Sequence, residues 1–219
     1  LGRFLAQTMD RGVEFVMTSN YHPDRLYPNG LHRERLHPAI DLLKERLDVL
    51  EVDNGTDYRR LKLEGLKVYH APLGPASERE LARIFDEVAD VEAEHHPLDV
   101  EGRRIPYRKR AGGLVWFDFS VLCGGPRSYA DYVDLTKRFH TVLLSGVPRM
   151  SPKNADAARR FTWLVDVFYD ARVKLAVSAE AAPNELYVEG ANSAEFARTE
   201  SRLIEMQSRE YLASVRREE

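Results

Sequence analysis

The chain has 219 residues, 43% of them hydrophobic, and a formal net charge of −3 at pH 7. That length accommodates one large domain or two small ones, and the slightly acidic balance argues against nucleic acid or an anionic membrane as a partner. Cys123 is the sole cysteine, which excludes an internal disulfide and favours a reducing, cytoplasmic setting. The sequence also has no apolar run near the ~20 residues that a membrane-spanning helix needs.

The first residues have the pattern of the end of an amphipathic helix. The stretch LGRFLAQTMD, residues 1–10, is followed by Gly12, and glycine best tolerates the left-handed conformation that follows a helix end. Because the helical pattern is already under way at Leu1, which is not a methionine, we expect that an N-terminal part of the protein precedes this chain.

A strand, a helix and a second strand are predicted next. The apolar run at residues 13–17 predicts a short buried strand that stops at the small polar residues 18–20. Pro38 fits the first turn of a helix, and the alternating residues 47–52 predict another strand. This order of elements is typical of a mostly parallel α/β sheet.

The rest of the chain continues the alternation of helices and strands. Ser77 and Glu80 match a capping box that opens a helix, and a hairpin is expected to turn near Glu101 and Gly102. Further elements are predicted at residues 114–119 (strand), 129–139 (helix), 141–144 (strand), 154–170 (helix), 173–177 (strand) and from about residue 193 (helix). Clustered proline, glycine and serine predict a boundary that separates domains 1–72 and 73–219.

One segment of the chain is echoed later. GVEFVMTSNYHPDRLYPNG, residues 12–30, aligns without gaps on RVKLAVSAEAAPNELYVEG, residues 172–190. Each consists of an apolar strand pattern, three small or polar residues, and P-x-x-L-Y-x-x-G. A single short echo is weaker than a true repeat array, so the favoured interpretation is that two strands ending at one sheet edge need similar exit turns.

Two residue types near the first predicted strand could serve phosphate chemistry. Asn20 follows that strand, where open α/β sheets bind ligands, and its amide could orient a water or only cap the next turn. Arg33 and Arg35 could stabilise a transferring phosphoryl group of a neighbouring subunit, although most surface arginines are only solvated. The spacing alone favours the structural roles.

Other candidates are weaker. RRIPYRKR, residues 103–110, could contact phosphates, but in an acidic chain a solvated hairpin is favoured. Asp118 follows a hydrophobic strand, as a magnesium-binding aspartate would. Phe119 occupies the next position, where a catalytic glutamate would be needed, so this interpretation is rejected. The sequence contains no G-x-x-x-x-G-K-[ST] phosphate loop.

Five separated motifs resemble one known family. They are VMTSNYHPDRLYPNGLHRERLHPAI (16–40), DNGTDYRRLKL (53–63), DYVDLTKRFHTVLL (131–144), AARRFTWLVDVFYDARVKLAVSAE (157–180) and RTESRLIEMQSREYL (198–212). In this order they are similar to the ZapE-type cell-division ATPases, a branch of the AAA+ P-loop ATPases with mitochondrial Afg-like relatives. His32 in place of a usual glutamine, and Leu36 and His37 in place of Phe-Leu, are mild departures.

The resemblance implies a fold and a set of site residues. The fold would be α/β, with the end of a P-loop AAA+ parallel sheet followed by an α/β C-terminal domain. Asn20 would be sensor 1, which positions the attacking water, and Arg33 would be the finger that reaches a neighbouring subunit's nucleotide. Arg159 and Arg160 match the family's A-R-R-F and would either sense phosphate or form the polar side of their helix.

The resemblance also implies an activity. The full-length protein would be a homo-oligomeric ATPase acting on the cell-division protein FtsZ, with ATP and Mg2+ held mainly by Walker A and Walker B segments upstream of this chain. The chain alone is therefore expected to be inactive. Two alternatives stay open, namely a mitochondrial Afg-like ATPase in protein quality control and a non-enzymatic adaptor. No metal ligand is predicted within the chain.

Overall fold

The computed structural model describes residues 2–19, 22–26, 33–50, 63, 65–93, 96–189 and 193–217. The chain divides into two compact units, Leu1–Thr56 and Asp57–Glu219. The sequence predicted that a nucleotide-binding core ends at residue 72. The division into compact units does not test where that core ends, so this boundary stays a prediction.

In the first unit two helices pack on each other. Helix α1 is Gly2–Met9 and helix α2 is His37–Arg46. A Cβ atom added at Gly2 would lie 3.2 Å from the Ala39 Cβ, so the helices approach closely where glycine leaves space. Gly12 has φ +78° after α1, and Pro38 stands in the first turn of α2. Both predictions from the helix-end rules are therefore confirmed.

The two strands predicted in this unit do not form in the described residues. Residues 13–19 and 48–50 have no regular secondary structure, and Val16 and Leu50 are 98% and 80% exposed. An apolar pattern favours a strand only where another strand accepts its backbone hydrogen bonds, and no described strand pairs with either segment. Residues 51 and 52 lie outside the described residues.

The second unit is built on a five-stranded sheet with strand order β1-β7-β6-β5-β4. Strands β1, β7, β6 and β5 run parallel, and β4 pairs antiparallel with β5. Strands β2 and β3 form a separate hairpin. The strand bounds are β1 Tyr69–His70, β2 Leu98–Val100, β3 Arg103–Ile105, β4 Lys109–Ala111, β5 Leu114–Asp118, β6 Thr141–Val147 and β7 Lys174–Ala179. The predicted α/β class with a mostly parallel sheet is confirmed.

The helices of the second unit begin and end close to their predicted positions. They are α3 Pro75–Val88, α4 Tyr129–Arg138, α5 Ala155–Asp170, α6 Ser193–Glu205 and α7 Arg209–Ala213. The predicted cap of α3 was wrong: the helix begins at Pro75, and the Ser77 hydroxyl accepts a hydrogen bond from the Gly74 N–H at 3.1 Å. Proline fits the first helical position because its missing N–H is not needed there, so the helix starts before Ser77.

Alternating side chains place the sheet between two helical layers. Val115 and Phe117 point into a core formed with α4 and α5, whereas Leu114 and Trp116 point into a core formed with α3. This two-residue period is that of an extended strand buried on both faces. A polar residue that continues the Leu114 and Trp116 series therefore lies on the α3 face.

The echoed segments share their turns but not their strands. Gly12 and Arg172, at corresponding positions, both have positive φ, +78° and +58°. The corresponding segments Pro23–Arg25 and Pro183–Glu185 are both short 3₁₀ helices. A strand forms only in the second copy, as β7. The echo is thus one of local turn chemistry. The favoured interpretation, which needed two strands ending at one sheet edge, was wrong because residues 13–19 form no strand.

Candidate functional site

Four strands of the sheet have a polar residue on the α3 face at or near their carboxyl ends. These residues are Asp118 of β5, Ser145 of β6, Ser178 of β7 and His70 of β1, and the strand register pairs Asp118 with Ser145 and His70 with Ser178. Carboxyl ends of parallel strands are where open α/β sheets bind ligands. We call these four residues the polar row.

Glu78, in the first turn of α3, is the central contact of the polar row. Its Oε1 accepts a hydrogen bond from the Ser178 hydroxyl at 2.9 Å, and its Oε2 accepts one from the Ser145 hydroxyl at 3.1 Å. The two serines are almost completely buried and also accept bonds, Ser145 from the Trp116 Nε1 at 2.8 Å and Ser178 from the Gly146 N–H at 3.0 Å. A buried hydroxyl with a donor and an acceptor partner is satisfied.

Arg108 joins this carboxylate to the end of β5. Its guanidinium donates to Glu78, its Nε donates to the Asp118 Oδ1 at 2.8 Å, and its Cζ lies 5.3 Å from the centroid of the Trp116 ring. The hydrogen bond to Asp118 raises the pKa of Arg108, so this charge is fixed. The cluster therefore braces α3 against the sheet through Glu78 and Arg108.

His70 is the polar-row residue with an unsatisfied atom. Its side chain is buried, and among the described residues its Nε2 has no hydrogen-bond partner. Burial lowers the pKa of His70 and outweighs a hydrogen bond with the Lys67 backbone and the charge of Glu80, which both raise it; the charges of Lys67 and Arg83 lower it further. We therefore describe the imidazole as neutral at pH 7.

Several basic side chains of the run at residues 103–110 form ion pairs within the second unit. Arg103 donates to both oxygens of Asp131, at 2.5 and 2.7 Å, and Lys109 lies 3.3 Å from an oxygen of Asp86. Together with Arg108, these side chains are held by carboxylates that are distant in sequence. The three side chains are still 37–44% exposed, so the structure agrees with the predicted solvated hairpin, and a phosphate contact stays a prediction. Sequence reasoning missed these pairings because no local spacing signals them.

The two predicted catalytic residues belong to the first unit. Asn20 lies outside the described residues. Arg33 begins the 3₁₀ turn Arg33–Arg35, which leads into α2, and its side chain lies outside the described part of the structure. The roles of Asn20 as sensor 1 and of Arg33 as a finger stay predictions.

The two predicted phosphate sensors are neighbours on α5 with different partners. The Arg159 Nη2 donates to the Asp156 Oδ1 at 2.8 Å, and its Cζ lies 5.6 Å from the centroid of the Trp163 ring. The Arg160 Nε instead donates to the Cys123 carbonyl at 2.7 Å. The structure thus does not bring the two guanidinium groups to a common partner, and their nucleotide-binding role stays a prediction.

The described ranges contain neither a metal-binding cluster nor a membrane-spanning helix. There, no group of three or more His, Cys, Asp or Glu side chains is placed to hold a metal ion, so this part of the chain offers no ligand cluster for Mg2+. Within that part, too, no helix has the length and apolar character needed to cross a membrane.

The comparison with protein families decides the identity. A model described as AFG1-like ATPase matches residues 1–215. The chain belongs to the AFG1-like ATPase family. The resemblance drawn from the five motifs is therefore confirmed, and no solved structure gives a significant match.

Individual relatives agree with this family. The chain is 40% identical over 213 residues to the cell division protein ZapE of Escherichia coli K12, covering 97% of this chain and 57% of the relative. It is 38% identical over 190 residues to an uncharacterized protein of Schizosaccharomyces pombe, covering 85% of this chain and 42% of that relative. It is 34% identical over 200 residues to lactation elevated protein 1 homolog B of Danio rerio, covering 89% of this chain and 40% of that relative. The chain thus spans about half the length of these relatives.

Proposed function

We propose that the chain is part of a cytoplasmic ATPase that hydrolyses ATP with Mg2+ and acts on the cell-division machinery, with FtsZ as its partner. The observation that carries this proposal is the similarity, over 97% of the chain, to a relative named cell division protein ZapE, within a family named for its ATPases. Because the chain spans 57% of that relative, the activity is proposed for a protein of the relative's full length.

Asn20 is the residue that orients the attacking water. An amide both donates and accepts hydrogen bonds, so it can hold a water in line with the γ-phosphate without itself changing protonation. Such a group acts mainly in the transition state and contributes little to the binding of ATP. The phosphates and Mg2+ are held mainly by residues outside this chain, since its sequence contains no phosphate loop.

Arg33 is the finger that completes the site of a neighbouring subunit, which makes the active form a homo-oligomer. Its turn leads directly into α2, where Ala39 and Ile40 are buried. An element anchored by packing positions a charged group better than a free loop does. A guanidinium brought to the γ-phosphoryl group stabilises the charge that spreads over its oxygens during transfer.

The test uses full-length protein and purified FtsZ. We expect Mg2+-dependent release of phosphate from ATP, and an ATP-dependent change in the amount of FtsZ that sediments as polymer. Phosphate release without an effect on FtsZ would remove FtsZ from the proposal. Binding to FtsZ with no phosphate release would instead support the non-enzymatic adaptor.

A second candidate is a mitochondrial Afg-like ATPase in protein quality control. The similarity to proteins of two eukaryotes, at 38% and 34% identity, favours it. Cell fractionation separates the two candidates, because recovery of the protein in the mitochondrial matrix would contradict the cytoplasmic division role.

A further inference from the structure

Hydrogen-bond donors converge on one point at the carboxyl edge of the second unit's sheet. The Ser145 hydroxyl of β6 and the Ser178 hydroxyl of β7 both donate to the Glu78 carboxylate, at 3.1 and 2.9 Å. The Arg108 guanidinium donates to the same carboxylate. Two hydroxyls and a guanidinium directed at one acceptor form a donor set that suits an oxyanion, because carboxylates and phosphates accept charge-assisted hydrogen bonds of this kind.

The helix that carries Glu78 adds to this preference for negative charge. Glu78 lies in the first turn of α3, a helix of 14 residues, and the amino end of a helix favours a bound anion. Ligands of open α/β sheets bind at this same edge, beyond the carboxyl ends of the strands. The donor set, the helix dipole and the position in the fold thus describe one site, which accepts a carboxylate or a phosphate.

His70 provides an observation that is independent of these hydrogen bonds. It is 7% exposed, and among the described residues its Nε2 has no hydrogen-bond partner. The strand register pairs His70 with Ser178, and neighbouring strands lie about 4.8 Å apart, so the imidazole stands beside a hydroxyl that donates to Glu78.

The unpartnered nitrogen of His70 is an acceptor. Because the ring is hydrogen-bonded to the Lys67 backbone, its other nitrogen carries the hydrogen of the neutral imidazole, and Nε2 keeps the lone pair. A carboxylate has no hydrogen to donate to Nε2. A phosphate that retains one proton has such a hydrogen, and it would satisfy the buried atom.

The site is open to solvent on one side. Ser145 and Ser178 are almost completely buried, whereas the side chains of Glu78 and Arg108 are 36% and 37% exposed. Buried hydroxyls are costly to leave without their acceptor. Because Glu78 belongs to the chain, its carboxylate is present at a high effective concentration and excludes a free anion.

We propose that the carboxyl edge of this sheet is a phosphate-type oxyanion site, and that its occupant in the wild type is the protein's own Glu78 carboxylate. The site takes inorganic phosphate when residue 78 is too small to reach the serines. Without Glu78, Arg108 retains only Asp118 as its acidic partner, so the cluster loses one negative charge, which a phosphate restores. The proposal does not depend on ATP hydrolysis.

The first experiment measures the Tm of the full-length wild type, Glu78→Ala and Glu78→Gln with inorganic phosphate at pH 7, using NaCl of equal ionic strength as the salt control. At about ten times its Kd, phosphate should raise the Tm of Glu78→Ala by about 3 °C more than that of the wild type. Glu78→Gln is the matched control, because its amide fills the site and accepts from the serines, so it should respond like the wild type.

A further double variant and a second anion identify the groups that hold the phosphate. Adding Ser178→Ala to Glu78→Ala removes one donor and should reduce the phosphate-induced shift in Tm by about half or more. Sulfate carries no proton at pH 7 and cannot donate to the His70 Nε2, so its Kd for Glu78→Ala should be about tenfold higher than that of phosphate. An unchanged shift in the double variant would overturn the role of Ser178, and equal Kd values would overturn that of His70.

Refolding from urea tests a variant that is too unstable for a melting curve. Glu78→Ala and the more conservative Glu78→Ser should regain native tryptophan fluorescence in higher yield with phosphate than with NaCl, whereas the wild type should refold equally in both. Equal yields in the two salts for both variants would overturn the proposal, as would a phosphate-induced shift in Tm that is no larger in Glu78→Ala than in Glu78→Gln. Neither readout involves ATP turnover, so this site and the proposed ATPase activity are supported or refuted separately.

Discussion

Glu78 lies one hundred residues before Ser178 in the sequence, yet its Oε1 accepts a hydrogen bond from the Ser178 hydroxyl at 2.9 Å. The same carboxylate accepts from Ser145 and from Arg108. One side chain of α3 is therefore bonded to two neighbouring strands and to the residue that enters β4. This contact holds the amino end of α3 on the carboxyl edge of the sheet.

Replacing Glu78 by alanine should lower the free energy of unfolding by about 2–3 kcal/mol, because two buried hydroxyls and one arginine lose their common acceptor. Urea unfolding monitored by tryptophan fluorescence measures the change. Glu80→Ala is the matched control, because Glu80 stands on the same helix but its carboxylate makes an exposed ion pair with Arg83. This substitution should lower the free energy of unfolding by less than about 1 kcal/mol. Equal effects of the two substitutions would contradict the bracing role.

Asp131 should make stability fall in acid. Burial alone would raise its pKa, but hydrogen bonds from the Ser128 N–H, Arg103 and the Ser128 hydroxyl outweigh burial and lower the pKa below the ordinary 3.8. The unfolded chain then binds a proton at a higher pH than the folded chain does. The stabilisation is complete above about pH 4 and is lost as the pH falls through the lower folded value.

Urea unfolding at a series of pH values between 2.5 and 5 tests this dependence. Asp131→Asn should be less stable at pH 6, and its stability should change less over the same acid range. A parallel pH dependence in the wild type and in Asp131→Asn would show that other carboxyl groups cause it.

His70 should make stability depend on pH in a second range, above that of Asp131. Because burial lowers its pKa from the ordinary 6.5, the unfolded state binds a proton first as the pH falls. Stability should therefore decrease from about pH 6.5 down to the folded pKa, below which it stops changing. Unfolding measured from pH 7.5 to 5 should show this slope in the wild type and a flatter profile in His70→Asn. The same slope in both proteins would refute the assignment to His70.

The second unit was largely predictable because its elements carry their own signals. The period of its apolar residues and its turn residues gave helices and strands close to their observed bounds, including the hairpin turn at Glu101 and Gly102, where φ is positive at both residues. In the first unit the same rules failed at residues 13–17. A strand depends on a partner strand, and a local pattern contains no information about whether that partner is present.

The contacts of the candidate sites were less predictable than the elements. Arg108 and Glu78 are thirty residues apart, and Arg160 and Cys123 thirty-seven. Such pairs arise only when the sheet and helices have assembled, so spacing along the chain could not distinguish Arg159 from Arg160. Their different partners follow from the helical rotation between neighbouring residues, which turns one toward solvent and the other toward the turn after β5.

Asn20→Ala in the full-length protein should lower kcat by about tenfold to a hundredfold and change the Kd for ATP less than about twofold. The reason is that a water-orienting amide stabilises the transition state and hardly contacts the bound ground state. Single-turnover hydrolysis and titration with a fluorescent ATP analogue measure the two quantities. Weaker ATP binding, with unchanged turnover per bound nucleotide, would instead indicate that Asn20 only caps its turn.

The last prediction concerns Arg33. Arg33→Ala subunits of the full-length protein should bind ATP normally but assemble into complexes whose turnover is reduced about a thousandfold or more, because each site lacks the guanidinium of its neighbour. Arg35→Ala is the matched control, since Arg35 is exposed at the other end of the same 3₁₀ turn, and it should hydrolyse ATP at the wild-type rate.

Mixing distinguishes a finger from a residue that acts in its own subunit. Arg33→Ala subunits combined with subunits defective in Walker A should regain part of the activity, with a maximum near equal amounts, because each restored site takes its phosphate cradle from one subunit and its arginine from the next. Arg33→Lys should not recover turnover, since a compact ammonium cannot reproduce the planar fork that spans phosphate oxygens. Normal hydrolysis by Arg33→Ala, or mixed complexes that form and stay inactive, would return Arg33 to the role of a surface residue at the start of α2.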